Sequence, residues 1–305
     1  MILCAGEALI DMLPRATQAG ENGFVPYPGG AVFNTAIALG RLGSEVGFFC
    51  PLSDDMFGAQ LRAALAASHV RHDLSPDVDR PCTLAFVTLT NGQARYAFYD
   101  RATALRDLTE AELPRLDDRV RALFLGGISL VGDPCGASLQ ALGARAGSRV
   151  VMIDPNIRPD FIRDEAAYRA RLGAMLSQAD IVKVSDEDLH WLVGAGATAE
   201  CAGALRAQGP GIVIVTEGAQ GARAFWEGDA AHMPAPKAQV VDTVGAGDTF
   251  NAGFLAALDR AGALDKRVLK DPGAAPLQDA LALGVRAAAV TVSRAGANPP
   301  WATEI

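Results

Sequence analysis

No stretch of this chain approaches the run of about 18 uninterrupted apolar residues that a bilayer-crossing helix needs. A membrane-spanning segment is therefore not expected. The opening residues, Met1-Ile2-Leu3-Cys4-Ala5-Gly6-Glu7, carry no basic leader and are interrupted by an acid, which argues against a secretory signal peptide. Cysteine is sparse: Cys4, Cys50, Cys82, Cys135 and Cys201 are five scattered residues without a Cys-x-x-Cys pair, a pattern that suits neither a disulfide framework nor a zinc site. A reducing, cytoplasmic setting fits. Positive charge is in deficit, with 27 Lys and Arg against 35 Asp and Glu and a net charge of -8, so neither nucleic acid nor an anionic membrane is an expected partner. Any anionic ligand must be held by local groups. Internal repeats and low-complexity tracts are missing, and no Gly-x-x-x-x-Gly-Lys-Ser/Thr run is present, which excludes a P-loop enzyme.

What remains is a chain of 305 residues with 50% hydrophobic content, enough for a substantial core. The apolar run Ile2 to Ile10 reads as one buried strand with Asp11 at its carboxyl end. Gly29 and Gly30 open a helical pattern from Ala31 to Leu42, Gly43 closes it, and Val46 to Cys50 follows as a strand. Thr83 to Thr90 and Gln93 to Tyr99 flank Asn91-Gly92, the strongest hairpin signal in the chain. This hairpin reads as a small β-lid, built from about residues 12–28 and 80–102 with a loop strand near Phe24 to Tyr27. From Val120 onward, strands at Ala122 to Leu125, Arg149 to Ile153, Asp180 to Val184 and Ile212 to Thr216 alternate with helical patterns, implying a mostly parallel sheet covered on both faces. A second hairpin spans Ala222 to Met233, and helices are expected from about Asp248 to Ala261 and from about Leu277 to Val290.

Three constellations carry chemistry. In Asp242-Thr243-Val244-Gly245-Ala246-Gly247-Asp248-Thr249-Phe250, small residues at a helix N-terminus let a ligand approach unpaired N–H groups, which makes an anion site. An aspartate beside that site would repel a permanently bound phosphate, but it suits a base that takes a proton from an attacking hydroxyl. The competing reading is that Asp248 only caps the helix. In Gly29-Gly30-Ala31-Val32-Phe33-Asn34, glycines admit a polyol to the backbone and Asn34 both donates and accepts, with Asp11 as a neighbouring acceptor; an ordinary strand-to-helix turn is the alternative. In Asp154-Pro155-Asn156-Ile157-Arg158-Pro159, Arg158 is a cation able to grip a phosphoryl group in transit, or else the partner of Asp154 in a surface salt bridge.

Together these runs resemble the signatures of the ribokinase-like (PfkB) carbohydrate kinases, from residue 3 to about residue 301, and are most similar to bacterial fructokinases. The resemblance implies a single α/β domain over residues 1–305, a ribokinase-like three-layer sandwich with a β-lid. It implies Asp248 as general base, the backbone of Gly245, Ala246 and Gly247 as anion hole, and Asp11, Gly29, Gly30 and Asn34 around the sugar. Lys183, Ser185 and the Thr216, Gly218 and Gly221 loop would face the nucleotide. The cofactors implied are ATP with Mg2+ and, optionally, K+. Many relatives carry Asn-x-x-Glu where this chain has Ser185 and Asp188, so Asp188 is expected to reach magnesium through water. Asp242, Val244, Thr291, Arg294 and Gly296 fall at the positions of a monovalent-cation loop. The implied reaction is phosphorylation of a primary hydroxyl of an unphosphorylated sugar, with fructose ranked before 2-keto-3-deoxygluconate and ribose. Tyr96, Phe98 and Tyr99 on the lid are candidates to close over the ring, and edge pairing of the lid would give a homodimer.

Two rivals belong to other classes. Gly194-Ala195-Gly196-Ala197-Thr198-Ala199 fits a dinucleotide fingerprint superficially, yet it follows the helical stretch Asp186 to Val193 and reads better as a helix C-cap. A catalytically idle sugar or nucleotide sensor is the other, and the presence of Asp248 beside its glycines argues against it.

Overall fold

The computed structural model describes residues 1–90 and 93–305; Asn91 and Gly92, where the hairpin turn is expected, and the side chains of residues 89–96, Tyr96 among them, lie outside the described residues. Strand β1 (Ile2–Ala5) is apolar and fully buried, as befits a strand covered on both faces. After a break at Gly6 to Ala8 come β2 (Leu9–Ala16) and β3 (Asn22–Gly29), an antiparallel pair with Asp11 opposite Tyr27. Helix α1 (Ala31–Arg41) leads into β4 (Val46–Phe49) and the two-residue β5 (Leu52–Ser53). Helix α2 (Met56–Ala67) starts where Asp55 accepts from the Phe57 and Gly58 amides, and β6 (Asp77–Val78) pairs with β5. The hairpin strands are β7 (Leu84–Thr90) and β8 (Gln93–Tyr99).

Strands then alternate with helices, with two helices between the last pair: β9 (Ala122–Gly126), α3 (Cys135–Ala144), β10 (Val150–Asp154), α4 (Glu165–Leu176), β11 (Ile181–Ser185), α5 (Asp186–Val193), α6 (Thr198–Arg206) and β12 (Ile212–Thr216). A hairpin of β13 (Ala222–Trp226) and β14 (Asp229–Met233) precedes α7 (Ala246–Arg260), α8 (Lys266–Lys270) and α9 (Ala274–Val292).

The central sheet runs β14-β13-β12-β11-β10-β9-β1-β4, parallel from β12 to β4 and antiparallel through the β13–β14 hairpin. Its strands hold an almost wholly apolar core, so the polar ends of the parallel strands gather along one rim. A second sheet, β3-β2-β7-β8, forms the lid. Phe98 on β8 meets Phe161, in the turn after β10, edge to face at 4.4 Å between centroids, tying the lid to the body.

Two expectations need correcting. The run Ile2 to Ile10 is not one strand: Gly6 turns the chain, Glu7 points inward, and the second half belongs to the lid. Asp11 therefore reaches the cleft from lid strand β2 and not from the end of a central strand. The last helix is longer than the expected span from about Leu277 to Val290: α9 begins three residues earlier, at Ala274, and runs to Val292.

Candidate active site

A cleft of about 1180 Å³ lies along the rim where the parallel strands end, between the lid and the start of α7. Its walls include Glu7 after β1, Gly127 after β9, Asn156 to Arg158 after β10, Ser185 at the end of β11 with Asp188 in the first turn of α5, and Thr216, Gly218 and Gly221 at and after β12. Leu9, Asp11 and Phe98 come from the lid, and Gly245 to Asp248 from the first turn of α7. Strand ends from one sheet thus bring together residues more than 200 positions apart.

At the centre, Asp248 is 6% exposed and its Oδ2 accepts from Asn34 Nδ2 at 2.9 Å, while the Thr35 hydroxyl donates to its backbone carbonyl at 3.2 Å. Asn34, one turn into α1, therefore holds a carboxylate from the opposite wall. Burial pushes the Asp248 carboxyl up to about 7; the Asn34 hydrogen bond opposes that rise, the Asp154 charge adds to it, Lys183 opposes it and Glu7 adds to it. A base with that affinity is half ionised near neutrality, which suits proton abstraction from an alcohol. Gly245 takes a left-handed conformation (φ 77°), and α7 begins behind it. The Ala246 amide donates to the Thr243 carbonyl at 3.3 Å, whereas the amides of Gly245, Gly247 and Asp248 find no acceptor among the described residues. Three open N–H groups beside a carboxylate form a cradle for a charged oxygen. Ala246 contributes its position and not a free donor, which refines the expected anion hole.

Asp11 faces the same cleft, and burial pushes its carboxyl up to about 6. A methyl at Gly29 would stand 2.2 Å from Asp11 Oδ2, so a side chain there would push the Asp11 carboxylate from this position. Gly30 lies at φ 109° and caps α1 without a side chain.

Behind the cradle sits a buried ion pair. Lys183 Nζ donates to Asp154 Oδ2 at 3.0 Å with both side chains nearly inaccessible, and Asn251 Nδ2 donates to the same oxygen at 2.7 Å. A methyl on Gly247 would lie 3.1 Å from Lys183 Nζ, so the ammonium stands directly under the amide cradle. Asp154 is thus occupied by Lys183 and Asn251. That rules out the surface salt bridge with Arg158, whose exposed guanidinium lines the cleft with one hydrogen bond to the Ile157 carbonyl at 3.0 Å. Ser185 caps α5, its hydroxyl accepting from the Asp188 amide at 3.0 Å, and Asp188 accepts from the Ile157 amide at 3.2 Å. Burial and then the Asp154 charge hold the Asp188 carboxyl above its ordinary range. The Thr216 hydroxyl lies 3.4 Å from the Val184 carbonyl, and Gly221 packs so close to β14 that a methyl would stand 2.1 Å from the Met233 carbonyl.

The monovalent-cation candidates divide. Asp242 accepts from the Val244 amide at 3.0 Å and the Gly296 amide at 2.9 Å, closing a loop beside the cradle. Thr291 is fully buried with its hydroxyl committed to Thr249 at 3.0 Å, and Arg294 pairs with Glu304 at 2.6 Å, so only their carbonyls remain as donors. Among the described residues no cluster of three His, Cys, Asp or Glu side chains is arranged to hold a metal. Gly194 closes α5 as a C-cap, which removes the dinucleotide reading of that run.

Reasoning from sequence missed Glu7 and Asn251. Both are polar residues inside apolar patterns, and an acid placed between Gly6 and Ala8 was the available signal.

A family model described as pfkB family carbohydrate kinase matches residues 1–304. The chain is 52% identical over 268 residues to a fructokinase of Rhizobium leguminosarum bv. trifolii, covering 88% of this chain and 82% of that protein. The fructokinase of Xylella fastidiosa with bound ATP superposes with a TM-score of 0.88 at 29% identity, covering 97% of this chain and 93% of that one. A fructokinase double mutant from Vibrio cholerae O395, solved with fructose, ADP and potassium ion bound, gives a TM-score of 0.84 at 25% identity over 97% of this chain and 93% of that one. The chain belongs to the pfkB family of carbohydrate kinases.

Proposed function

We propose that this protein is an ATP-dependent fructokinase that phosphorylates the 6-hydroxyl of unphosphorylated fructose. The observation that carries the proposal is a buried carboxylate, Asp248, poised near neutrality beside three open backbone amides and gripped from the opposite wall by Asn34. Fructose in particular is supported by the 52% identity to a fructokinase.

Asp248 takes the proton of the 6-hydroxyl as the oxygen attacks the γ-phosphorus of ATP. The new O–P bond forms while the bond to the β-phosphate bridging oxygen breaks, and ADP departs with that electron pair. The open amides of Gly245, Gly247 and Asp248, with Lys183 beneath them and Arg158 across the cleft, stabilise the charge that develops on the transferring group. Asp11, Gly29, Gly30 and Asn34 hold the sugar. The loop of Thr216, Gly218 and Gly221, together with Lys183 and Ser185, borders the nucleotide.

The carboxylate and hydroxyl oxygens at Asp188 and Ser185 are hard donors, too few for a protein-only cage, which fits a magnesium ion that keeps waters and phosphate ligands. Bound there, Mg2+ would supply charge neutralisation for the phosphates. The Asp242, Val244 and Gly296 loop is the proposed K+ position, with carbonyls of Thr291 and Arg294. No helix among the described residues is long and apolar enough to cross a membrane, and a cytoplasmic homodimer joined through the lid completes the reading.

The test is ADP release measured with fructose, 2-keto-3-deoxygluconate, ribose and adenosine in parallel. Fructose is expected to give the highest kcat/KM; a higher value for another acceptor transfers the assignment to that sugar, and activity with none removes it.

A further inference from the structure

The sugar end of the cleft is built around a charge that the phosphoryl transfer does not use directly. Glu7 lies just beyond β1, is 1% exposed, and forms no ion pair among the described residues. Its Oε1 accepts from the Ala31 amide at 3.0 Å, the first residue of α1, and its Oε2 accepts from the Ser129 amide at 3.3 Å, in the short turn after β9. Its backbone carbonyl accepts from the Phe33 amide at 3.2 Å. Helix α1 has no acidic residue in its first turn and no side-chain cap, so Glu7 supplies from a distance both the acceptor and the negative charge that a helix N-terminus requires. The surrounding glycines are shaped by it: a methyl at Gly127 would stand 1.9 Å from Glu7 Oε1, and one at Gly30 2.8 Å from its carbonyl oxygen. A carboxylate this deep, without a cation, costs stability unless hydrogen bonds satisfy it, and its place on the cleft wall joins three elements that carry site residues.

We propose that Glu7 is a positioning residue for the transfer: it locks the first turn of α1 to the turn after β9, so that Asn34 presents its amide to Asp248 at the right place. The inference rests on the reading of Asp248 as the base. Its effect has two parts. The first is reach, because Asn34 moves with the α1 terminus that Glu7 anchors. The second is charge, because Glu7 stands near enough to disfavour ionisation of Asp248. Glu7 is itself held above the usual carboxylate range by burial, opposed by hydrogen bonds to Ser129 and Ala31. The other groups coupled to Glu7 are the thiols of Cys50 and Cys135 and the Tyr168 phenol, whose ionisation burial disfavours. Those facing Asp248 are Asn34 from α1, Asp154 from β10 and Lys183 from β11, with Asp11 and Arg158 across the cleft. From α9, Thr291 meets Thr249, while Asp279 and Arg286 are exposed.

The test compares Glu7→Gln, Glu7→Asp and Asp248→Asn in pH profiles of kcat and of kcat/KM for fructose at saturating ATP. Glutamine keeps the shape but turns an N–H group toward one of the two amides and removes the charge. It is expected to lower kcat by roughly 10- to 100-fold, leave the KM for ATP near wild type, and move the acidic limb to higher pH, because the weakened Asn34 hydrogen bond outweighs the lost Glu7 charge at Asp248. Aspartate keeps the charge but withdraws the carboxylate from the Ala31 and Ser129 amides, so kcat falls and the acidic limb moves to higher pH as Asn34 loosens from Asp248. Glu7→Gln at wild-type kcat, or slower by one constant factor with its acidic limb unmoved, overturns the proposal. Should both Glu7 variants fail to fold, Gly127→Ala, whose methyl would stand 1.9 Å from Glu7 Oε1 and so displace the carboxylate, serves instead: a kcat loss at unchanged KM for ATP supports the proposal and wild-type kcat overturns it. Retained turnover in Asp248→Asn would sink the base assignment instead, so the two failures are told apart.

Discussion

Replacing Asn34 by Leu removes the hydrogen bond that favours ionised Asp248 and leaves the charge of the site otherwise unchanged. A hydrogen bond to a charged group is worth about 1.5–3 kcal/mol, and one pKa unit is about 1.4 kcal/mol, so the Asp248 carboxyl should rise by about one to two units from its value near 7. A raised pKa means that the base is protonated at higher pH, so activity is lost earlier as pH falls and recovers as pH climbs past the new value. At pH 7 the ionised fraction drops from about half to roughly 1–10%, a loss of about 5- to 50-fold in kcat that shrinks toward pH 9. A higher KM for fructose is expected at every pH, since Asn34 also borders the sugar. ADP release followed from pH 5.5 to 9.5 at saturating ATP separates these effects. An acidic limb at its wild-type position, or a loss that does not shrink at high pH, would refute the reasoning.

Gly245→Ala forces a side chain into a left-handed residue and sets its methyl 2.7 Å from Ala297 Cβ; a loss of about 1–3 kcal/mol in urea unfolding is expected, with a larger proportional fall in kcat as the cradle tilts. Lys183→Met leaves Asp154 buried without its cation; about 3–5 kcal/mol of stability should be lost and the KM for ATP should rise, measured by denaturation and steady-state kinetics. Unchanged stability in that variant would mean that the pair is not closed in solution.

The readable parts of this protein were those whose signals are local. Gly245-Ala246-Gly247-Asp248 announces a helix N-terminus open to an anion, and the alternation from β9 to β12 announces a parallel sheet, because glycine conformation and apolar periodicity act over a few residues. Asp11 was assigned to the right cleft but the wrong element, since nothing in the apolar run from Ile2 to Ile10 reveals that Gly6 turns the chain into a second sheet. Pairings across the fold were illegible: Asp154 meets Lys183 29 residues on and Asn251 97 residues on, and only the folded rim brings them together. Lys183 inside a buried strand hinted at a partner without naming it. Glu7 was visible as an interruption, while its task of capping a helix that starts at Ala31 depends on the β1 terminus lying against α1.

The central claim is that Asp248 receives the proton of the attacking hydroxyl. Asp248→Asn keeps size and the neighbouring amides, so nucleotide binding by calorimetry should stay near wild type while single-turnover phosphorylation of fructose falls by about 10²–10⁴. A variant that binds ATP and still transfers the phosphoryl group at the wild-type rate would contradict the account.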